Sequence, residues 1–410
     1  MRRALADVFA VLGPGLAVAA TGVGAGDVVA AAVSGAEYGV AILWAAVVGA
    51  VLKFSLNEGI ARWQLATETT LLQGWGRHLH RIVIAIFLIY LVVWTLLMAA
   101  ALMSACGLAA HAIFPAVGVG VWGVLHSLVA LGLVYFGRYA LFERLMKVFV
   151  GLMFVTVVTS AVLVRPDLGA VLQGLVLTSV PAGSGKFLLG VIGGVGGSVT
   201  LLSYSYWMRE RGWKTRMYRR EVRLDLAAAY LLTGIFGVSL IIVAAGTDST
   251  VMQGSTMALE IAEQVGARVG PYGMWIFLVG FWGAVFTSML GVWQGVPYIF
   301  ADTVNVLRFG RLARRTAGTE SPWYRGYLLF IGLPPMALLL IDEPVWIVII
   351  YSIFGALFMP FLAGTLLVLN NRRRLVGQLR NGILINLLLF LAMALFLVLF
   401  VREIADTIGS

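Results

Sequence analysis

Charge is scarce in this sequence. Only 12% of its 410 residues are Asp, Glu, Lys or Arg, whereas 61% are hydrophobic. Soluble domains carry about 25% charged residues, so an ordinary water-soluble domain is excluded. The mean hydropathy of +0.96 points instead to an all-α polytopic membrane protein. Cysteine is nearly missing as well, and the lone Cys106 excludes an intrachain disulfide. The four histidines, His78, His80, His111 and His126, have neither metal-site spacing nor a His-Glu-x-x-His arrangement. No Gly-x-Ser-x-Gly nucleophile motif is present. Two nucleotide-motif lookalikes fail on inspection. "GVGAGD" lacks the full glycine spacing and follows no strand. "AGSGKF" at 182–187 has Val180 where a phosphate loop needs its first glycine and Phe187 where it needs Ser or Thr. The chain is therefore expected to be no enzyme and to carry no cofactor.

What is present is a series of about eleven apolar runs, each near the ~20 residues a bilayer requires. They fall near 9–35, 38–62, 81–106, 119–137, 142–164, 186–208, 225–245, 272–305, 326–341, 345–369 and 380–402. The first follows a basic start, as a signal peptide would, but its apolar character continues past Asp27, so it reads as a span. The eighth is longer than a crossing needs and is expected to tilt, kink or project from the bilayer.

The net charge of +10 resides in alternate loops. "RWQLATETTLLQGWGRHLHR", "FGRYALFERLMK", "MRERGWKTRMYRREVR", "RFGRLARRTAGTESPWYR" and "NNRRRLVGQLR" are basic, and the intervening loops are not. The positive-inside rule then puts the N-terminus in the cytoplasm and the C-terminus outside. A bacterial inner membrane is the expected location and the lipid bilayer the expected partner. Nothing in these loops favours nucleic acid. Glu143, Asp225 and Asp302 fall at span ends, where water is expected to reach them, as gating groups at most. Trp63, Trp75, Trp122, Trp207, Trp213, Trp275 and Trp323 also fall near span ends, as an interfacial belt would.

Two spans contain helix breakers. "GVGAGDV" begins at 22 and "GGVGGSV" at 193, so the two stretches are 171 residues, or five spans, apart. Asp27 falls opposite Ser198. Glycine in a helix interior costs roughly 1 kcal/mol relative to alanine. In lipid, unwound backbone is tolerated only where protein buries it or where it lines a cavity. Glycine-interrupted segments at matched positions of two halves point to an inverted-repeat transporter with a midplane site. A carboxylate within such a segment marks a pathway. The plainer alternative is that these glycines only let helices pack closely.

"GPGLAVAATGVGAGDVVAAAVSGAEYGVAILWAAVVG" resembles the first two helices of the Nramp metal-ion transporters. "ARWQLAT" resembles that family's exit from helix two, and "LFERLMKVFVGLMFVTVVTSAVLVRPDLGAVLQGL" its helix five and following loop. The resemblance runs more weakly along most of the chain. It implies the LeuT-type fold over 1–410: inverted five-helix repeats at about 9–165 and 186–369, an extra helix at about 380–402, and breaks in helices one and six. The departures from the family are informative. Where its helix-one motif is Asp-Pro-Gly-Asn, this chain has Gly24, Ala25, Gly26 and Asp27. Where its helix six supplies Met-Pro-His, this chain has Gly197, Ser198 and Val199, with Thr200 beyond. A polar helix-ten ligand of the family falls near Ser352. No charge lies between Ile82 and Cys106, so the family's helix-three proton relay is missing.

A site without sulfur or imidazole suits hard cations. Mg²⁺ keeps several waters and often binds through one or two carboxylates. The expected cargo is thus a divalent cation, Mg²⁺ or else Mn²⁺, as in the Nramp-related magnesium transporters that the chain resembles. Uptake is expected to be uncoupled from protons. Asp27 would supply charge. Gly24, Gly26, Gly197, Ser198, Thr200, Ser203, Tyr204 and Ser352 would supply oxygens or room. One feature opposes this reading. Lys53 lies inside the second span, followed by Asn57, Glu58 and Arg62. Either Lys53 snorkels to the surface while Glu58 pairs with Arg62, or it faces the pathway and would repel a dication. The second case would favour an amino acid or another small organic solute. A membrane binding protein that does not transport is a further alternative.

Overall fold

The protein is described by a computed structural model over residues 13–194, 198–245, 257–310, 318–341 and 343–409. Among these residues all regular structure is helical, because a helix satisfies its own backbone groups where lipid offers no partners.

The first span is divided into α1 (Pro14–Gly22) and α2 (Ala25–Tyr38). Pro14 stands in the first turn of α1, where its missing N–H costs nothing. Helix α3 (Leu43–Thr67) follows. It ends at Glu68, a left-handed residue with φ 58°, whose N–H returns to the Gln64 carbonyl at 2.7 Å. The short helix α4 (Leu71–His78) then starts at once, capped by Thr70, whose hydroxyl accepts from the Gln73 N–H at 3.2 Å. Three long helices complete the first half: α5 (Arg81–Ile113), α6 (Val119–Phe136) and α7 (Tyr139–Leu163). Helix α8 (Leu168–Val176) lies in the connection and is capped by the Asp167 carboxylate.

The second half opens with another divided span, α9 (Gly185–Gly194) and α10 (Ser203–Glu210), with a 3-10 turn at Val199–Leu202. Then come α11 (Arg219–Ala244), α12 (Met257–Val269), α13 (Pro271–Phe309) and α14 (Pro322–Gly332). Helices α15 (Pro344–Ala356) and α16 (Phe358–Asn370) share the tenth span, expected to be continuous but divided at Leu357. The short α17 (Arg373–Val376) leads to α18 (Ile383–Gly409).

Among the described residues, seven helical stretches are each long and apolar enough to cross a membrane, and a bent pair at 373–398 makes an eighth. The first, sixth and tenth expected spans are absent from that number because each is split into two pieces too short to cross alone. Helix α13 has 39 residues, about 58 Å at 1.5 Å per residue. That exceeds even the ~40–45 Å of a bilayer with its headgroups, so α13 has to tilt, bend at Pro297 or project beyond it.

Helix α13 packs on α1, α5 and α7, and α11 packs on α1, α2 and α3. The first break is therefore enclosed by other helices, and on either side of the second α9 packs on α2 and α15 and α10 on α13. The basic loops meet at one end of the molecule. There the Arg62 guanidinium reaches the Asn381 side chain at 3.0 Å, Arg211 reaches Glu143 at 2.5 Å and Arg209 reaches the Glu68 carbonyl at 3.5 Å. At the other end the Trp44 indole donates to the Ser179 carbonyl at 2.9 Å and joins the start of α3 to the connection after α8.

Candidate functional site

The break in the first span falls at Val23 and Gly24. Helix α1 closes with the Val23 N–H on the Ala19 carbonyl at 2.9 Å, and α2 opens with the Val28 N–H on the Gly24 carbonyl at 2.9 Å. The break frees the Thr21 carbonyl, which accepts the Ser288 hydroxyl of α13 at 2.7 Å. The carbonyls of Thr21 and Gly24 are thus already used. Gly24 is buried, and a Cβ there would lie 2.2 Å from Ser288 Oγ. The close-packing role considered for these glycines is real at this position. Asp27 is in the first turn of α2, where the helix dipole favours a negative charge.

The second break is lined differently. Ser198 is buried, and its hydroxyl accepts the Trp94 indole N–H of α5 at 3.2 Å. A Cβ on Gly355 of α15 would meet Ser198 Oγ at 3.0 Å. Ser198 therefore sits between the third and tenth spans. Thr200 is buried in the turn that follows. Ser203 faces α13, where a Cβ on Gly295 would come within 2.5 Å of its oxygen, and that oxygen has no hydrogen-bond partner. Gly197 lies outside the described residues, as do the side chains of Asp27 and Ser352.

Tyr204 is drawn elsewhere. Its hydroxyl donates to Asp225 Oδ2 at 3.0 Å. The same carboxylate accepts the N–H of Gly13 at 3.1 Å and of Gly15 at 2.6 Å. One residue of α11 thus joins the start of α1 to α10. A second carboxylate does similar work nearby. Asp302 of α13 accepts from the hydroxyls of Thr70 at 2.6 Å and Tyr206 at 2.9 Å, and from the Gln73 amide at 3.3 Å. Both aspartates are fully buried. That corrects the expectation that water reaches them, because the start of α1 and α10 cover Asp225, and the start of α4 and α10 cover Asp302. Glu143 does sit in a partly open cluster, paired with Arg211 and Lys147. The belt of tryptophans also needs correction. Trp63, Trp75 and Trp207 are core residues, with the Trp63 indole on the Thr70 carbonyl at 3.1 Å and the Trp207 indole on Gln294 at 2.5 Å.

Glu58 pairs with Arg62 as their spacing predicts. Asn57 donates to the Tyr230 hydroxyl of α11 at 3.0 Å. Lys53, one turn before Asn57, is 0% exposed. It does not snorkel to the surface. Among the described residues no group of three or more His, Cys, Asp or Glu converges.

A family model described as natural resistance-associated macrophage protein-like (Nramp) matches residues 15–406. No curated protein sequence matches the chain. Among solved structures, the manganese transporter of Eremococcus coleocola bound to an aromatic bis-isothiourea compound is similar at a TM-score of 0.74. The sequences are 17% identical, and the match covers 97% of this chain and 86% or 87% of that one in its different crystal structures. A point mutant of that transporter gives 0.73 at 18% identity, covering 97% and 86%. The structure of MhsT in complex with L-phenylalanine gives 0.56 at 15% identity, covering 94% and 97%. These likenesses show the fold: the LeuT type, with two inverted five-helix repeats, an eleventh helix, and breaks in the first and sixth spans.

Proposed function

The chain belongs to the Nramp family, and from that premise we propose that it moves a divalent cation across the membrane by alternating access, with Asp27 holding the ion. The observation that carries the reading is the pair of divided spans at matched positions. One has Asp27 in the first turn after its break, and the other has buried Ser198 and Thr200 at its break. The likeness to a structure named as a manganese transporter supports a divalent metal as cargo. Oxygen donors without sulfur or imidazole favour a hard ion, Mg²⁺ before Mn²⁺.

Transport is uncoupled from protons in this proposal, since the third span carries no charge between Ile82 and Cys106. The membrane potential then drives uptake, at about 2.3 kcal/mol per charge per 100 mV. The end where the basic loops meet faces the cytoplasm. Asp225 and Asp302 close that end by tying α1, α4 and α10 to α11 and α13.

The test is calorimetric titration of purified protein with Mg²⁺, Mn²⁺ and Ca²⁺, alongside uptake of each ion into liposomes holding a pH-sensitive dye. Saturable binding and uptake that disappear in Asp27→Asn are expected, with no acidification. Uptake unchanged in Asp27→Asn removes Asp27 from the mechanism, and acidification that tracks uptake overturns the uncoupled reading.

A second reading rests on Lys53, which is buried rather than snorkelling. A buried ammonium beside the pathway suits a carboxylate-bearing organic solute better than a dication. If no dication binds while an amino acid does, and Lys53→Met abolishes that binding, the organic solute is the cargo.

A further inference from the structure

We propose that the outer seam between α3 and α11 is a binding site for one anionic phospholipid, with an acyl chain in the seam and the headgroup on Arg219, Arg220 and Arg223. The seam holds a cavity of about 500 Å³ running from Val238 and Ser239 to Phe54 and Ala227. Its walls are almost wholly apolar, and Val51 and Leu231 stand open to the outside at 45% and 64%. A second cavity of about 620 Å³ continues from the same Phe54 and Ala227 to the three arginines. The two form one channel, apolar along its length and basic at its mouth.

Dimensions and charge fit that occupant. From Ala227 to Ser239 along α11 is about 18 Å at 1.5 Å per residue. Half of a ~30 Å hydrocarbon core is ~15 Å, so the apolar part, which also reaches Val47 of α3 and Leu175 of α8, is deep enough for the whole of one acyl chain. The mouth lies at the end of the molecule where the basic loops gather, at headgroup level. No carboxylate lines the second cavity. Glu58, on the facing helix, already pairs with Arg62 and stands 3.9 Å from Arg223. Arg219 and Arg220 are thus left to face an anion, with Arg223 shared between it and Glu58. Basic pockets between membrane helices recognise anionic headgroups, at about 1 kcal/mol per basic residue near the surface. A zwitterionic lipid would gain the seam but not the mouth.

The bound chain would also touch a hydrogen bond close to Lys53. Tyr230 is on the floor of the seam and accepts the Asn57 hydrogen bond one turn from Lys53. Occupancy of the seam therefore presses on the helix that carries Lys53.

The experiment is native mass spectrometry of the full chain, delipidated in detergent and titrated with dioleoyl phosphatidylglycerol or dioleoyl phosphatidylcholine, with melting temperature as a second readout. One phosphatidylglycerol retained per chain, in preference to phosphatidylcholine, is expected. The R219Q/R220Q/R223Q variant should lose that retention by roughly 100-fold. These side chains are exposed, so the variant should melt like the parent in lipid-free detergent. Ala227→Trp plugs the joint between the two cavities and should also release the lipid. Equal retention of phosphatidylcholine overturns the proposal. So does a triple variant that binds like the parent. If inorganic phosphate stabilises the chain as well as the lipid does, the arginines form a free-anion site and the lipid assignment fails.

Discussion

A methyl group added at Gly24 would land 2.2 Å from Ser288 Oγ, and one at Gly291 would land 1.8 Å from Thr21 Oγ1. Real Cβ atoms do not tolerate such distances, so backbone or partner must move. Overpacking of this kind costs about 1–3 kcal/mol. Gly24→Ala should therefore lower the melting temperature, and Ser288→Ala should restore part of the loss by removing the oxygen in the way. Thermal unfolding of the two single variants and the double variant checks this, and strict additivity would sink it. The sequence showed the break here, because glycines and a carboxylate interrupt an apolar run. It did not show that Ser288 meets Gly24, since their contact spans more than 260 residues of chain. The burial of Asp225 and Asp302 was equally hidden. Hydropathy marks an aspartate near a span end as wet, and only the fold brings Gly13, Gly15, Tyr204, Thr70 and Tyr206 onto the two carboxylates. Tyr204 was expected to provide oxygen at the break, but its hydroxyl is committed to Asp225 instead.

Between elements, Asp225 is the joint that ties α1 to α10. It accepts two backbone N–H groups from one and a hydroxyl from the other. Replacing it by Asn swaps an acceptor for a donor opposite one of those groups. A buried donor left without a partner costs about 1–3 kcal/mol, enough to loosen the closed end by a factor of about 10 or more. Because Cys106 is the only cysteine in the sequence, a thiol-free background needs one substitution, Cys106→Ser. In it, Ala17→Cys reports on access to α1, since Ala17 is 1% exposed. Maleimide labelling of that cysteine should be slow, and at least tenfold faster with Asp225→Asn added. An unchanged rate would show that the carboxylate does not hold this end shut.

Taken as a whole, the molecule sorts its loops by charge. The basic loops are far apart in sequence yet touch one another through Arg62 and Asn381, Arg211 and Glu143, and Arg209 and Glu68. Their gathering at one end is what the alternation of the sequence foretold, with an odd number of spans separating the termini. Which compartment that end faces is a matter of Lys and Arg placement. Alkaline phosphatase fused after residue 410 should be active and a fusion within the basic stretch 311–317 inactive. The reverse pattern would invert the proposed orientation.

Helix α13 runs the length of the molecule and presents Ser288, Gly291 and Gly295 along one face, at the Thr21 and Ser203 sides of the two breaks. Each glycine there is a socket: the Thr21 side chain fills the one at Gly291 and the Ser203 side chain the one at Gly295, and the Ser288 hydroxyl holds the Thr21 carbonyl. A half-helix that shifts along this face has to leave its socket and give up that hydrogen bond. Movement here is therefore a step between discrete packings and not a slide.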